Sequence, residues 1–323
     1  MKNSHWSQLV GRLGRAHLTA LSLGFIVAFS SACVEPEVEA PEGCDAATLT
    51  CSKTVFLEVE EFEFLRLNGA HVIDVRGSDT FADGHVPGAA NTHWNAFAEP
   101  DRNGILLESE AALQEVARSL GINNDSTILV YGNGGTGDSA AGRLFWTLEY
   151  LGHDKVYLLD GGIEAWKEDA GVAVGTGAFQ SIPEGDFTVN LRPELRATIE
   201  EVEDAMENGT LKLVDTRNIE EYLGEEEALR GNPRGGYIPT AVHYHWEDVI
   251  GDNGRLRPAE DIRAELEALG IVDGTLTIPY CQSGVRSGYF YAVLKWLGYP
   301  TAKNYDGSWW EWSRETDLAG EYE

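Results

Sequence analysis

An internal repeat constrains the fold of this chain more than any other feature of its sequence. The two copies share several short segments: HVIDVR at 71–76 with KLVDTR at 212–217, GHVPGA at 84–89 with GYIPTA at 236–241, and DGG at 160–162 with DGS at 306–308. A chain of 323 residues is long enough for two domains of ordinary size. We therefore expect two tandem copies of one domain.

Each copy alternates short apolar runs, typical of strands, with segments of helical periodicity. This alternation predicts an α/β fold in which a mainly parallel sheet is flanked by helices. We expect the first domain at 53–170, a glycine-rich linker at 171–188 and the second domain at 189–323. The second copy also carries a charged, glycine-rich insertion at 224–234.

The second copy places a cysteine at the junction of a strand and a helix. The apolar run at 275–280 predicts a buried strand, and apolar residues recur at helical spacing over 289–297. Cys281 therefore lies in a loop toward which the N–H groups of a helix N-terminus point. Gly284 lets this loop curl, and Arg286 adds a positive charge that favours the nucleophilic thiolate. The alternative is that Cys281 is a small buried hydrophobic residue.

The first copy has Gly132 where the second has Cys281. Its loop at 132–137 reads GNGGTG, which matches the G-x-G-x-x-G fingerprint of dinucleotide-binding proteins. That fingerprint also needs an acidic residue about twenty positions further on, a role that only Asp154 or Asp160 could fill. Because the repeat pairs this loop with the Cys281 loop, we interpret it as a degenerate copy of that loop.

Two segments of the second copy resemble the rhodaneses, which are thiosulfate and 3-mercaptopyruvate sulfurtransferases. Residues 281–287 (CQSGVRS) resemble the rhodanese active-site loop, and residues 305–312 (YDGSWWEW) resemble the segment that closes the catalytic domain of two-domain rhodaneses. The resemblance implies two rhodanese-like domains, the first non-catalytic and forming a wall of the cleft of the second. It also implies that Cys281 carries a persulfide from a small anionic sulfur donor to a thiophilic acceptor such as cyanide or a thiol, without a cofactor.

The same resemblance suggests which residues bind the substrate. The loop residues expected to stabilise the thiolate, the persulfide and the leaving group are Gln282, Ser283, Gly284, Val285, Arg286 and Ser287. Arg217 matches the family arginine that helps to bind the anionic donor, and its alternative is a surface salt bridge with Glu220 or Glu221. Asp215 is expected to hold the geometry of the strand end.

The identity of the sulfur donor depends on the loop sequence. Relatives that prefer 3-mercaptopyruvate carry a loop reading CGSGVT, whereas this loop has Gln282 and Arg286 at the second and sixth positions. Relatives that prefer thiosulfate place basic residues in the loop to hold a dianion. Arg286 therefore favours thiosulfate, with 3-mercaptopyruvate as the alternative donor.

Two further classes of protein remain open. Some phosphatases and arsenate reductases share the rhodanese fold and use a longer Cys-x5-Arg loop around a tetrahedral oxyanion. Here the spacing from Cys281 to Arg286 is Cys-x4-Arg, which suits a sulfur atom better. The alternative outside the enzymes is a protein in which Cys281 carries a persulfide without rapid turnover.

Charge and histidine placement bear on other partners. A net charge of −29 argues against nucleic-acid binding and means that an anionic substrate must be attracted locally. The eight histidines lack the spacing of metal ligands, so no metal site is expected. Most are interpreted as packing or polar surface residues, although either His243 or His245 could line the cleft.

The N-terminus has the pattern of an export signal. A basic start is followed by an apolar run at 18–29, too short to span a bilayer, so residues 1–32 are interpreted as a signal peptide. The small residues before Cys33 resemble a bacterial lipoprotein signal, which implies lipidation of Cys33. An ordinary signal peptidase cutting at the same bond is the alternative. The expected location is the cell envelope, with membrane contact only through this lipid.

Residues 33–52 are acidic, contain proline and lack periodicity, which predicts a flexible tether. Cys44 and Cys51 lie within it. In an oxidising exported compartment we expect them to form a disulfide. Free thiols or a redox-active pair are the alternatives.

Overall fold

The computed structural model describes residues 39–53, 55–169, 171–209, 211–225 and 231–315. The predicted signal peptide at 1–32 and the predicted lipidation site Cys33 lie outside these ranges. Among the described residues, none of the helices combines the length and the apolar character needed to cross a bilayer.

The first domain is built around a parallel sheet. Its elements are the hairpin strands β1 (Cys44–Asp45) and β2 (Thr50–Cys51), then β3 (Phe56–Leu57), α1 (Val59–Leu67), β4 (His71–Asp74), α2 (Ser78–Asp83), β5 (Ala90–Asn91), α3 (Glu110–Ser119), β6 (Ile128–Tyr131), α4 (Ser139–Tyr150), β7 (Val156–Leu159) and α5 (Gly162–Glu168). Within the described residues the sheet has the order β3-β7-β6-β4-β5 with all pairs parallel. The central strands β6 and β7 are apolar at every position because helices cover both of their faces.

The second domain repeats this plan. Its elements are α6 (Ile199–Asn208), β8 (Lys212–Asp215), α7 (Ile219–Tyr222), β9 (Val242–His243), α8 (Ala259–Ala268), β10 (Thr277–Tyr280), α9 (Arg286–Trp296) and α10 (Ser308–Trp312). The described strands have the parallel order β10-β8-β9. Single parallel bridges, Thr277 with Ala302 and Arg196 with Asn304, extend the sheet beyond β10. The predicted α/β fold with two mainly parallel sheets is therefore confirmed.

Both ends of α6 follow ordinary capping rules. Thr198 caps α6: its hydroxyl accepts the Glu201 N–H at 3.3 Å, while the Glu201 carboxylate accepts the Thr198 N–H at 3.2 Å. The helix ends at Gly209, whose left-handed conformation (φ 61°) suits a residue without Cβ. This capping box fixes the start of the second domain.

The two domains share one hydrophobic core, centred on the contact between α4 and α9. Both helices are buried along most of their length. They approach closely at Gly142 and Gly288, which occupy the same position in the two copies. A Cβ on Gly142 would overlap the backbone of Tyr289, and one on Gly288 would lie 2.9 Å from the Cα of Arg143. Small residues at this crossing therefore bring the backbones of the two domains into contact.

The end of the predicted tether is ordered and packs on the first domain. Cys44 and Cys51 are joined by a disulfide across the β1–β2 hairpin, as expected from the sequence. The Thr127 hydroxyl donates to the Leu49 carbonyl at 2.7 Å, and Lys155 Nζ donates to the Thr48 carbonyl at 3.2 Å. The tether predicted to run to residue 52 thus differs from the structure over 44–51, because the disulfide and these contacts hold the hairpin.

The predicted linker is also attached to the first domain. Gly175 exchanges backbone hydrogen bonds with His85 at 2.8 and 3.0 Å. Further on, the Phe187 N–H donates to the Ile122 carbonyl at 3.1 Å, and the Phe187 side chain is buried. The segment 171–188 therefore lacks helix and strand, as predicted, but runs along the first domain as a strap.

Candidate active site

Cys281 follows β10 directly and precedes α9, so it lies in the loop predicted from the sequence. It is buried, and Gly284 in the same loop has φ +73°, a conformation that favours glycine. The Ser287 hydroxyl donates to Sγ of Cys281 at 3.6 Å. Burial tends to raise the pKa of the Cys281 thiol. The Arg286 charge and hydrogen bonds from Ser287 and Ser283 outweigh it, so the net pKa is lowered. The loop therefore favours a thiolate.

Ser308 holds the Cys281 loop in place through hydrogen bonds to its backbone. Its Oγ accepts the N–H groups of Cys281 at 3.1 Å and of Gly284 at 3.0 Å, and donates to the Tyr305 carbonyl at 2.7 Å. The N–H of Trp309 donates to the Cys281 carbonyl at 3.0 Å. The segment 305–312, identified in the sequence only by its resemblance, thus holds the Cys281 loop in place. The structural role of Ser308 was missed because nothing local in the sequence marks it.

Arg286 is held in a bidentate ion pair. Its Nη1 and Nη2 donate to the Glu221 carboxylate at 2.5 and 2.9 Å. The Glu221 side chain is 2% exposed and that of Arg286 is 16% exposed, so the pair is largely desolvated. Sequence reasoning considered Glu221 only as a partner for Arg217. The structure instead makes it the residue that orients Arg286.

Arg217 does not lie in the cleft. Its guanidinium is 1% exposed and pairs with Asp215, with Nε to Oδ1 at 2.9 Å and Nη2 to Oδ2 at 2.5 Å. The first domain repeats this pair with Arg76 and Asp74, at 3.0 Å for Nε to Oδ1 and 2.6 Å for Nη2 to Oδ2. Since the first domain has no nucleophile, the pair is an element of the fold.

This geometry corrects the interpretation of Arg217 made from the sequence. A surface salt bridge with Glu220 or Glu221 is replaced by a buried pair with Asp215, which holds the strand end as expected. Nη2 of Arg217 also donates to the Gly236 carbonyl at 2.7 Å. The described hydrogen bonds of Arg217 hold its side chain against Asp215 and the Gly236 carbonyl. The structure therefore gives no support to donor binding by Arg217.

The first domain forms a wall of the site. Its 98–106 hairpin lies on the Cys281 loop, and a Cβ on Gly104 would overlap the Ser283 carbonyl. The Leu106 N–H donates to Oδ2 of Asp306 at 3.0 Å. From α4, Arg143 donates to the Gly284 carbonyl at 3.1 Å. The wall that the resemblance implied is present in the structure.

A cleft of about 360 Å³ opens beside Arg286 at the junction of the domains. It is lined by Thr136 and Ser139 from the first domain and by Asn218, His245, Trp246, Glu247 and Arg286 from the second. His245 thus lines the cleft, whereas His243 faces the Arg217 carbonyl with Nε2 at 2.8 Å. Thr136, in the degenerate loop, and Ser139, at the start of α4, were missed because the first copy was interpreted as non-catalytic.

Gln282 is tied to the insertion of the second copy. Its side-chain amide and that of Asn232 exchange two hydrogen bonds of 2.9 Å each. Val285 precedes the first turn of α9 as its N-cap residue. The six predicted loop residues therefore share one compact turn around Cys281. In the described ranges, no three His, Cys, Asp or Glu side chains cluster in a way that could hold a metal ion.

The corresponding loop of the first domain is filled by its own carboxylate. Asp138 is buried and its Oδ1 accepts the Gly134 N–H at 2.9 Å. Burial raises the pKa of Asp138 to about 7 despite the hydrogen bonds from Gly134 and Gly132. Gly162 stands where the second domain has Ser308, and a Cβ there would lie 2.7 Å from Oδ1 of Asp138. The glycine-rich turn thus encloses a carboxyl group of its own, as befits a degenerate copy.

The strand, loop and helix around Cys281, repeated without a thiol in the first domain, define a tandem rhodanese. The family described as the rhodanese-like domain matches this chain at residues 60–169 and 198–315. The chain therefore belongs to the rhodanese family.

Three relatives illustrate the range of the family around this chain. The sulfur carrier protein TtuD of Thermus thermophilus is 36% identical over 240 residues, covering 71% of this chain and 82% of that protein. A thiosulfate sulfurtransferase of Pseudomonas aeruginosa is 33% identical over 254 residues, covering 76% and 89%. The 3-mercaptopyruvate sulfurtransferase of Escherichia coli is 30% identical over 241 residues, covering 74% and 83%. These similarities support sulfur transfer as the general activity.

Proposed function

We propose that this protein is a thiosulfate sulfurtransferase that works through a persulfide on Cys281. The observation that carries the proposal is the environment of the thiol. Cys281 lies in a turn whose Ser283 and Ser287 N–H groups and Arg286 charge lower its pKa. Such a site supplies a nucleophilic thiolate together with fixed donors for the negative charge that develops during transfer.

The reaction has two steps. In the first, the Cys281 thiolate attacks the outer sulfur of thiosulfate, the sulfur–sulfur bond of thiosulfate breaks, and sulfite leaves with the bonding electron pair. In the second, cyanide or a thiolate attacks the outer sulfur of the persulfide, and Cys281 regains its thiolate. Each step conserves charge and needs no external oxidant or reductant. The Arg286 guanidinium stabilises the anionic sulfur in both.

The choice of donor rests on Arg286. Thiosulfate is a dianion, and a guanidinium edge at the cleft favours it over 3-mercaptopyruvate, whose single carboxylate carries less charge. The similarity to the E. coli protein named 3-mercaptopyruvate sulfurtransferase supports 3-mercaptopyruvate as the alternative donor. A direct comparison of the two donors on one preparation of enzyme distinguishes them.

The test follows thiocyanate formation from cyanide with thiosulfate or with 3-mercaptopyruvate. We expect the higher kcat/KM with thiosulfate, and mass spectrometry should find one added sulfur on the peptide that contains Cys281. Cys281→Ser should abolish both results while far-UV circular dichroism stays unchanged. Sulfur on Cys44 or Cys51, or hydrolysis of an aryl phosphate without thiocyanate, would overturn the proposal.

A persulfide carrier is the second candidate, supported by the name of the Thermus relative. A carrier and an enzyme differ in turnover. With excess thiosulfate and cyanide, an enzyme releases many equivalents of thiocyanate per Cys281, whereas a carrier stops after about one. Sulfite release limited to one equivalent would favour the carrier.

We also propose that the protein is exported to the cell envelope and anchored by a lipid on Cys33. The basic start and apolar run of residues 1–32 support export. The Cys44–Cys51 disulfide is an independent argument, because such bonds persist in oxidising compartments. In native cells the N-terminal peptide should begin at Cys33 and carry acyl groups. An unmodified Cys33 in a soluble fraction would refute the lipid anchor. Retention of Met1 would refute both the anchor and export.

A further inference from the structure

One arginine of the first domain reaches the catalytic loop of the second. Arg143 lies on α4, and its side chain is 1% exposed. Nη1 donates to the Gly284 carbonyl at 3.1 Å, and Nη2 donates to the Gly104 carbonyl at 2.6 Å. The guanidinium thus joins the Cys281 loop to the hairpin that covers it.

The Gly284 carbonyl receives a second donor from its own domain. Asn304 Nδ2 lies 3.1 Å from the same oxygen. A Cβ on Gly284 would overlap Nη1 of Arg143 and lie 2.6 Å from the Cα of Asp306. This contact explains why a glycine stands here, since any side chain would displace the arginine.

Fixing this carbonyl fixes a peptide that glycine would otherwise leave free to rotate. In a trans peptide the C=O and the following N–H point in opposite directions. When Arg143 holds the Gly284 carbonyl, the N–H of Val285 must therefore point away from the Arg143 guanidinium. Gly284 has φ +73° and lacks the steric restraint of a side chain, so the hydrogen bonds supply that restraint.

The arginine is retained at a cost in stability. Its Nε is buried and has no hydrogen-bond partner among the described residues. A buried N–H of this kind is unfavourable, so packing alone is a poor explanation for an arginine here. Asp306, 3.8 Å from Nη2, offsets only part of the Arg143 charge, because its other oxygen pairs with Arg196 at 2.8 Å.

The repeat provides an internal comparison. The helical segments GRLFW at 142–146 and GYFYA at 288–292 correspond, so the position of Arg143 in α4 is held by Tyr289 in α9. Tyr289 faces the first-domain side, where the loop has no thiol. Arginine is thus present in the copy that faces the nucleophile and absent from the copy that faces the degenerate loop.

We propose that Arg143 is a positioning residue for sulfur transfer, by which the non-catalytic domain holds the Gly284 peptide and orients the N–H groups around Cys281. The inference rests on the proposed function of the Cys281 loop. It assigns to the first domain a direct part in preparing the nucleophile, beyond forming a wall of the cleft.

The test compares Arg143→Met and Arg143→Lys with the control Glu149→Gln. Glu149 accepts hydrogen bonds from Tyr291 and Lys295 across the same helix pair but does not contact the Cys281 loop. For each variant we would measure the pH dependence of Cys281 alkylation by iodoacetamide, the single-turnover rate of sulfite release from thiosulfate, and urea unfolding.

In Arg143→Met we expect the midpoint of alkylation to move upward by roughly one pH unit and sulfite release to slow roughly tenfold. Lysine keeps the charge but cannot reach both carbonyls, so Arg143→Lys should be intermediate. Glu149→Gln should lower stability. Its alkylation midpoint should equal that of the wild type, and its rate of sulfite release should stay within about twofold of the wild-type rate.

Wild-type alkylation and sulfite release in folded Arg143→Met and Arg143→Lys would overturn the proposal. If the methionine variant fails to fold, the lysine variant alone decides by the same two readouts. Alkylation needs no sulfur donor. A wild type that forms no persulfide would therefore refute the proposed function, while the alkylation midpoints would still decide the role of Arg143.

Discussion

Arg286 presents its charge to Cys281 from a fixed position, because Glu221 binds both of its Nη atoms. Glu221 thereby positions the charge that lowers the pKa of Cys281. Glu221 orients the guanidinium but also offsets part of its positive charge. The reactivity of Cys281 therefore depends on the balance between Arg286 and Glu221.

Replacing Arg286 by threonine should weaken the use of thiosulfate. Losing a charge-assisted contact to a dianion costs about 1.5–3 kcal/mol, so kcat/KM should fall roughly tenfold to a hundredfold. The loss with 3-mercaptopyruvate should be smaller. Steady-state kinetics with both donors measure the effect.

Two variants separate the effect of the Arg286 charge from the effect of breaking its ion pair with Glu221. Glu221→Gln keeps a hydrogen-bonding side chain beside Arg286 but removes the negative charge, so the pKa of Cys281 should fall further. Persulfide formation increases with pH as the thiolate forms. Its midpoint should move to lower pH in Glu221→Gln and to higher pH in Arg286→Thr. Equal midpoints in all three proteins would mean that Arg286 is purely structural.

At this scale the sequence predicted the loop position of Cys281 but not the residues that support the loop. The strand, Cys281, Gly284 and the helix follow one another in the chain, so local patterns reveal the loop. Glu221 lies 65 positions from Arg286, and Arg143 lies 141 positions from Gly284. Only the folded chain brings these side chains together, and neither belongs to a local motif.

The two loops that correspond in the repeat satisfy their N–H groups in different ways. Ser308 accepts two N–H groups of the Cys281 loop, while Asp138 accepts the Gly134 N–H in the first domain. A neutral hydroxyl leaves the second loop able to stabilise a thiolate. The Asp138 carboxyl group already fills the first loop and excludes another anion by its volume.

Burial of Asp138 should make stability depend on pH. Its pKa is 3.8 in the unfolded reference and about 7 in the folded protein, so the folded state binds this proton more tightly. The stability that this group contributes is present below about pH 4 and is lost as pH rises through about 7. The slope should approach 1.4 kcal/mol per pH unit at most.

Asp138→Asn removes this titration while keeping an acceptor oxygen for Gly134. In urea unfolding, the variant should gain stability relative to the wild type between pH 5 and pH 8. The exposed Asp125→Asn serves as the control and should follow the wild type at both values. A constant difference between Asp138→Asn and wild type across this range would show that Asp138 does not titrate there.

The helices and strands were predicted better than the packing of the segments at 44–51 and 171–188. Alternating apolar runs are local, so the strands and helices of both copies could be inferred from the chain. The order of residues 44–51 and of the strap at 171–188 depends instead on partners such as Thr127 and Ile122. Composition alone made these segments appear flexible.

The two domains support one another through equivalent contacts. The Leu106 N–H donates to Asp306 in the second domain, and the Leu256 N–H donates to Asp160 in the first, each at 3.0 Å. Gly104 covers Ser283, and the Gly135 N–H donates to the Gly254 carbonyl at 3.1 Å. Together with the shared core at α4 and α9, these contacts predict that the domains unfold as one unit.

Gly142→Val should destabilise the whole molecule. The added Cβ would overlap the backbone of Tyr289, which has no room to move in a shared core, and overpacking of this kind costs about 1–3 kcal/mol or more. Calorimetry should show one transition at a lower Tm. Gly77→Ala is the control, since nothing lies within 4 Å of its added Cβ. Two separate transitions would contradict the shared core.

The hairpin at 98–106 and its counterpart at 250–256 have the arrangement of an isologous dimer interface, in which each subunit offers the same surface to the other. In a homodimer one gene encodes both loops, so a substitution in one loop must appear in both. In a single chain each copy varies independently, and the interface no longer dissociates on dilution. Gene fusion thus permits a division of labour: one loop could lose its thiol and enclose Asp138 while its domain went on contributing Gly104 and Arg143 to the other.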